Sequence, residues 1–563
     1  MKQTKPDIRT VWSRYQRGVQ FNQQIGLYQT VEDNENMYIG KQWEGVQANG
    51  LPTPVFNLLK RVTMFQVATI TSDNIAVRAS ALQATRGYAK KDVEKVAEII
   101  NEQLASAFER NRIPTMLREY GRNAAVDGDA CMYTYFDPTI ENGQDVKGEL
   151  VTEIIENTRV HFGNPNSRSV QSQPWIILAR RMLLEDAQWR ARENGIPEDQ
   201  IDAIRPDEQG YYSKMDSITD GRVTVLLYFW RDRETGTIWR YESTQNACIC
   251  EPIDTGTKLY PITWLCWDYI HDSYHGQASI TQLRPNQIFI NRMFAMVFLS
   301  LMTLAFPKII YDKTRLPGGW DSRVGAAIAV NGGDVNNIAK IMDPAQISPQ
   351  VGQFIQLAVD YTQSFLGASD VAMGDSRPDN TSAILALQRA ANTPLELTKQ
   401  NLYQSVEDLC KIYIDQMRVF FGVRVVESKP LDVADNKPLG IDFSQAEFLQ
   451  EFDFSTLGDI PVSVKLDVGA SSYWSEIASM QTLDNLLMQN KIGLREYLER
   501  VPAGFISKKQ ELIDLLDAAA ASPVGGGGAP VSGEGNKVDE LPIQGGGGYG
   551  ALQRAVTQEG VNR

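Results

Sequence analysis

Two of the chain's three histidines stand in His271-Asp272-Ser273-Tyr274-His275. On a helix, i, i+4 spacing turns both imidazoles to one face, where Asp268 or Asp272 could join them around a metal and serve a metal-dependent nuclease or other hydrolase. Catalytic zinc usually takes a third protein ligand, and the competing reading is a polar turn between a strand and the apolar helix that follows. Cys248-Ile249-Cys250 alternates as a strand does, which brings two sulfurs to one face without further ligands. The chain has no GxxxxGK followed by Ser or Thr, no GxSxG, no HExxH and no paired CxxC. Nothing therefore supplies the glycine-rich cradle and lysine of a P-loop motor, and any work on DNA would draw its energy from elsewhere.

The 563 residues carry 69 acidic against 55 basic side chains, a formal charge of −14. With 43% hydrophobic and 22% charged residues, the composition is globular and excludes collagen-like, wholly disordered and disulfide-scaffold classes. At roughly 150 residues per domain, the length corresponds to three or four domain-sized units. The acidic excess argues against gripping nucleic acid, because phosphate binding needs Lys and Arg, but not against letting nucleic acid slide past. Cys131, Cys248, Cys250, Cys266 and Cys410 are scattered and fit a reduced interior. The N-terminus shows no apolar signal region, and the apolar stretch Met293–Pro307 is shorter than the ~20 residues a bilayer span needs. A soluble intracellular protein is expected.

The elements that must position these residues follow from periodicity. The first ~35 residues read as a helix with Ile8, Val11, Trp12, Tyr15 and Val19 on one face, followed by a loop from Asn36 to Trp43. Pro54-Val55-Phe56-Asn57 opens a second helix, residues 75–82 look extended, and Val93, Val96, Ile100, Leu104 and Phe108 mark a further helix, with another over 113–126. Between 129 and about 270 come short strands rich in aromatic and β-branched residues, interrupted by a polar helical insertion over 184–206. Trp43, Trp264 and Trp267 read as core aromatics.

The second half is helical again. From Ser279 to Phe306 the sequence is apolar almost all round, and Pro285 is tolerable only in a first turn. Such a helix must be buried on every side, by its own domain or by a neighbouring subunit. Prolines and glycines over 307–347 suggest a small β-containing excursion. Ser348-Pro349 then restarts a helix with Val351, Phe354, Ile355, Ala358, Tyr361 and Phe365 on one face. Leu402, Val406, Leu409, Tyr413, Met417 and Phe420 mark the longest helical pattern, in which Pro394 predicts a kink or break. After Ala521 the glycine-rich chain reads as a disordered tail.

In order, these elements resemble the portal, or head-to-tail connector, proteins of tailed double-stranded DNA bacteriophages. The markers are Tyr38-Ile39-Gly40-Lys41-Gln42-Trp43 followed by Asn57 and a helix, Gly276-Gln277-Ala278-Ser279 before a helix carrying Gln282, Gln287 and Asn291, then Pro307-Lys308-Ile309, the broken excursion, a second helix, a polar loop with Thr381-Ser382-Ala383 and a long kinked helix. The resemblance implies an α+β portal fold: a mixed wing (1–276) with a return strand region (422–470), stem helices (277–306 and 348–372), a small β-containing clip (307–347), a tunnel loop (373–381), a long kinked helix (382–421), a helical crown (471–521) and the tail (522–563).

It also implies a non-enzymatic homododecameric ring, without cofactors or bound metal, at a capsid vertex of the virion and in the host cytoplasm during assembly. Double-stranded DNA would pass through it. Its protein partners would be the large terminase subunit, a head-tail adaptor, and the major capsid and scaffolding proteins, with no membrane involved. Asp375, Ser376, Arg377, Pro378, Asp379 and Asn380 would form the DNA-facing tunnel loop, with Arg377 either touching passing phosphates or serving as an ordinary solvated loop residue. Pro394 would be a hinge or a static bend, and Gly318, Gly319 and Trp320 would contact partners at the clip, unless Trp320 fills the clip's own core or a subunit interface. Rival readings are the metal-dependent hydrolase, another capsid adaptor or minor head protein, and a membrane-associated pore.

Overall fold

A computed structural model describes residues 6–365 apart from 49, 73–74, 82–89, 208–220 and short breaks between 306 and 348, then 393–428, 448–458, 462–468 and parts of 480–513. The chain divides into two compact units, Met1–Glu476 and Ile477–Arg563. The first opens with α1 (Ile8–Gln24) and α2 (Leu27–Ile39). The single helix expected here is thus two, and the second runs through Asn36 rather than ending before it. Gly26 sits between them at φ +69, a left-handed conformation that costs little without a Cβ.

Helix α3 (Leu58–Ile70) begins where Asn57 Oδ1 accepts from the Lys60 amide at 3.1 Å, an N-cap bond. Then come β1 (Ile75–Ala81), α4 (Lys90–Arg110) and α5 (Ile113–Asp127). The strand-rich region comprises β2 (Asp129–Asp137), β3 (Glu149–Ile155), β4 (Val160–Phe162), β5 (Trp175–Leu183), β6 (Arg222–Arg231), β7 (Ile238–Ser243), β8 (Cys248–Asp254) and β9 (Ile262–Cys266). Helices α6 (Leu184–Glu193) and α7 (Glu198–Ile201) form the polar insertion after β5.

Among the described residues the strands make a five-stranded sheet, β4-β5-β6-β7-β8, and a three-stranded one, β3-β2-β9, all antiparallel. Strand β2 serves two cores by its period of two. Cys131 and Tyr133 join Val11, Trp12 and Tyr15 of α1 and the larger sheet, while Ala130 and Met132 join α4 and α5.

The chain then runs through α8 (Ser279–Ala305), the antiparallel pair β10 (Ile309–Tyr311) and β11 (Ala339–Ile341), and α9 (Pro349–Phe365). Pro285 lies in the second turn of α8, not the first, and so removes one backbone bond from the helix. Side chains just before the proline hold this part of the helix to α2: Asn34 Nδ2 donates to Thr281 Oγ1 at 2.9 Å, and Arg284 pairs with Asp33.

A 3-10 turn, Thr393–Leu395, precedes α10 (Glu396–Phe420), whose Leu402, Val406, Leu409, Tyr413 and Met417 are all buried as their spacing predicts. Pro394 therefore stands in the turn before this helix rather than inside it, where its missing amide costs nothing to the ladder. Residues 382–392 of the expected long helix lie outside the described residues. Last in this unit are β12 (Val423–Ser428), which pairs with β13 (Phe448–Asp453), and β14 (Val462–Val468), which pairs with β1 from Ile75↔Val468 to Ala81↔Val462. The fold is α+β. In the second unit, α11 (Leu494–Arg500) is tied down where Tyr497 Oη donates to Asp484 Oδ1 at 2.6 Å.

Candidate functional site

The His271–His275 segment is a turn, and its two histidines do different things. His271 is 85% exposed and faces only Asp272, which holds φ +56. His275 is buried, with Nδ1 2.6 Å from Asp129 Oδ2 and Nε2 3.2 Å from Asn22 Oδ1. The other oxygen of Asp129 accepts from the Gly276 amide, and Asn157 Nδ2 lies 3.4 Å from Oδ2. Gly276 has no room for a side chain: a Cβ there would stand 2.6 Å from the Asp268 carbonyl. The imidazoles do not share a face, so the i, i+4 metal geometry does not form, and among the described residues no group of three His, Cys, Asp or Glu could hold a metal ion.

Electrostatics at this joint follow from burial. Burial pushes Asp127 up to about 7, against the pull of the Arg122 guanidinium. His161, also buried, is driven down to about 3 by desolvation and by His275. Cys248 and Cys250 are both buried and unpaired thiols, the former pushed up to about 11 by burial.

Beyond the joint, the first half of α8 sits in a polar socket. Ser279 Oγ donates to Gln66 Oε1 at 2.7 Å. Fully buried Gln287 accepts at Oε1 from the amides of Leu58 (3.1 Å) and Leu59 (3.3 Å), the first-turn donors of α3 that have no intrahelical partner. Its Nε2 donates to the Phe56 carbonyl at 2.7 Å and to Asn291 Oδ1 at 2.9 Å. Asn291 Nδ2 continues to Gln42 Oε1 at 2.6 Å, and Gln42 Nε2 reaches the Met37 carbonyl at 3.1 Å. Trp43 Nε1 donates to the Pro54 carbonyl at 2.8 Å, and Asn57 Nδ2 to the Tyr38 carbonyl at 2.9 Å. Of the residues singled out in the sequence, Gln42, Gln287 and Asn291 thus form one hydrogen-bonded chain, and Trp43–Pro54 and Asn57–Tyr38 are separate pairs. A cleft lies beside it, lined by Lys41, Trp43, Glu44, Arg284, Ile288 and Arg292 among others.

The second half of α8 has no such cover. Met296, Phe298, Leu299, Leu301 and Met302 are all exposed, Met302 by 55%. Helix α9, which packs on α8, divides its apolar face: Val351, Ile355 and Ala358 are half-buried, whereas Phe354, Leu357 and Tyr361 form an exposed stripe, Tyr361 by 67%. A helix apolar all round is expected to be covered all round, and in the single chain these two are not.

The β10–β11 excursion also leaves apolar surface open. Ile310 is exposed and Trp320 is 42% exposed, so Trp320 does not fill a core of its own chain. Gly319 takes φ +76 in the turn before it, and Gly318 has open space around it. Asp375, Ser376, Arg377, Pro378, Asp379 and Asn380 lie outside the described residues, as does the 522–563 tail.

Sequence reading missed Asp129 and Asn22, which are remote from His275 in the chain. The signal for one of them is a carboxylate directly after Gly128 at a strand start, a position that leaves it buried. Compared with known proteins, residues 231–426 match the family model described as Phage P22-like portal protein, a stretch running from the end of β6 into β12. No curated protein matches the chain.

Proposed function

We propose, from the P22-like stretch over residues 231–426, that the chain is a tailed-phage portal protein and that copies of it close a homododecameric ring whose central channel passes double-stranded DNA during packaging and ejection. The observation that carries this reading is the uncovered apolar surface of α8 and α9, which a neighbouring copy on each side would bury.

On this reading 1–276 with 422–470 form the wing, α8 and α9 the stem, 307–347 the clip, 382–421 the long helix and 471–521 the crown. The clip, with Gly318, Gly319 and exposed Trp320, docks the large terminase subunit and later a head-tail adaptor, while the ring seats among major capsid and scaffolding proteins at one vertex of the virion, having assembled in the host cytoplasm. Residues 375–380 form the tunnel loop, and Arg377 touches passing phosphates weakly enough to release them. Pro394, in the turn that opens α10, is where that loop would hinge. The ring performs no chemistry and takes no cofactor. Its acidic excess suits a channel wall, since fixed negative charge repels phosphate over the ~8 Å Debye length.

The mass of the purified protein in solution tests this. Light scattering should return one large species at about twelve times the 63.0 kDa of the chain, persisting on dilution to micromolar concentration. A species at the chain mass alone overturns the proposal.

A further inference from the structure

The two stem helices are almost free of charge, and what charge they have is unpaired between them. Helix α8 carries Arg284 and Arg292 and no acid, while α9 carries Asp360 and no base. Arg284 is engaged by Asp33 of the same chain. Arg292 is exposed, lines the cleft beside Trp43, and has no ion-pair partner among the described residues. Asp360 is half-buried and only accepts from Gln356 Nε2, at 2.9 Å.

Helices α8 and α9 pack on each other and are joined through the antiparallel β10–β11 pair. Arg292 lies ~20 Å from the end of α8, and Asp360 ~17 Å from the start of α9, at 1.5 Å rise per residue. Within one chain the two stay apart, because Arg292 faces the loop after α2. In a ring whose neighbouring copies meet through α8 of one and α9 of the next, the lone unpaired base of the first helix faces the lone acid of the second across the seam. Exposed apolar side chains flank each of them (Phe289 and Met296 on α8, Leu357 and Tyr361 on α9), and a neighbour packed on these would exclude water and strengthen a guanidinium–carboxylate contact, while the other side of Arg292 borders the cleft with Lys41 and Glu44.

We propose that Arg292 of each copy pairs with Asp360 of a neighbouring copy, one charge pair per interface that sets the register of an otherwise featureless apolar seam. This rests on the ring reading above. Because the two groups lie on different helices, the contact is head-to-tail and can repeat around a closed ring.

A charge swap tests it: Arg292→Asp and Asp360→Arg singly, and both together in one chain, with the ring fraction read by light scattering at one protein concentration. Each single variant should lower the ring-to-subunit ratio about tenfold at low salt, and the double variant should recover it to within about twofold of wild type. Single variants that assemble like wild type, or a double variant no better than either single one, overturn the pairing while leaving the ring intact. A wild-type protein that forms no ring overturns the underlying reading and the pairing with it. Should a single variant melt early, recovery in the double variant still decides, since a folding defect is not repaired by reversing a second exposed charge.

Discussion

Gln287 bonds four groups from a fully buried position: the amides of Leu58 and Leu59, the Phe56 carbonyl and Asn291. It thereby caps α3 with a side chain from α8 and ties the loop before α3 to the stem. Replacing it with leucine keeps the volume but strands the buried Leu59 amide and Asn291 Oδ1, while the Leu58 amide keeps the Phe56 carbonyl, so Gln287→Leu should lose about 2–4 kcal/mol in urea unfolding. An unchanged midpoint would mean that water reaches those groups and that the socket is looser than described. At the same scale, the His275–Asp129 contact shows what a histidine pair in a sequence cannot say by itself. Spacing alone allowed a metal site. Burial of one histidine against Asp129 and Asn22, with the other in solvent, makes this a joint that holds the lead-in to α8.

Helix α8 is well packed at one end and bare at the other, α9 leaves one stripe bare along its length, and a charged substitution on the bare part separates folding from assembly. Leu299→Glu adds a carboxylate at an exposed position, so thermal unfolding of the subunit should stay within about 0.5 kcal/mol of wild type. Ring formation should fall at least tenfold, because the same carboxylate is desolvated when a neighbour covers it. Equal assembly by the variant, measured by sedimentation, would show that this face stays in water.

Much of the element pattern was legible. Alternation located most strands between 129 and 270, and threes-and-fours spacing located α4, α5, α9 and the buried face of α10. What spacing could not show was a break at a single glycine, as at Gly26, which depends on its left-handed backbone, or a proline tolerated in the second turn, as at Pro285, beside which Asn34 and Asp33 of α2 bond Thr281 and Arg284. The socket was half legible. Gln42, Gln287 and Asn291 were all among the markers of the resemblance, but nothing in their spacing shows that they bond one another or that Gln287 reaches the amides of Leu58 and Leu59.

Across the whole molecule, a formal charge of −14 does not contradict the proposed role as a DNA conduit. Tight binding needs phosphates neutralised by Lys and Arg, whereas a conduit must release its cargo at every step. All five cysteines are buried and free, and no helix among the described residues is long and apolar enough to cross a membrane. Among the described residues, α8, α9 and the excursion between them carry a run of exposed large apolar side chains. A head-to-tail contact between such surfaces closes into a ring only if its rotation divides a full turn, and otherwise grows into a filament.

Electron-microscope class averages of the purified wild-type protein decide between these outcomes most directly. The account predicts closed, twelvefold rings with a central hole. Compact single subunits or open filaments would contradict it.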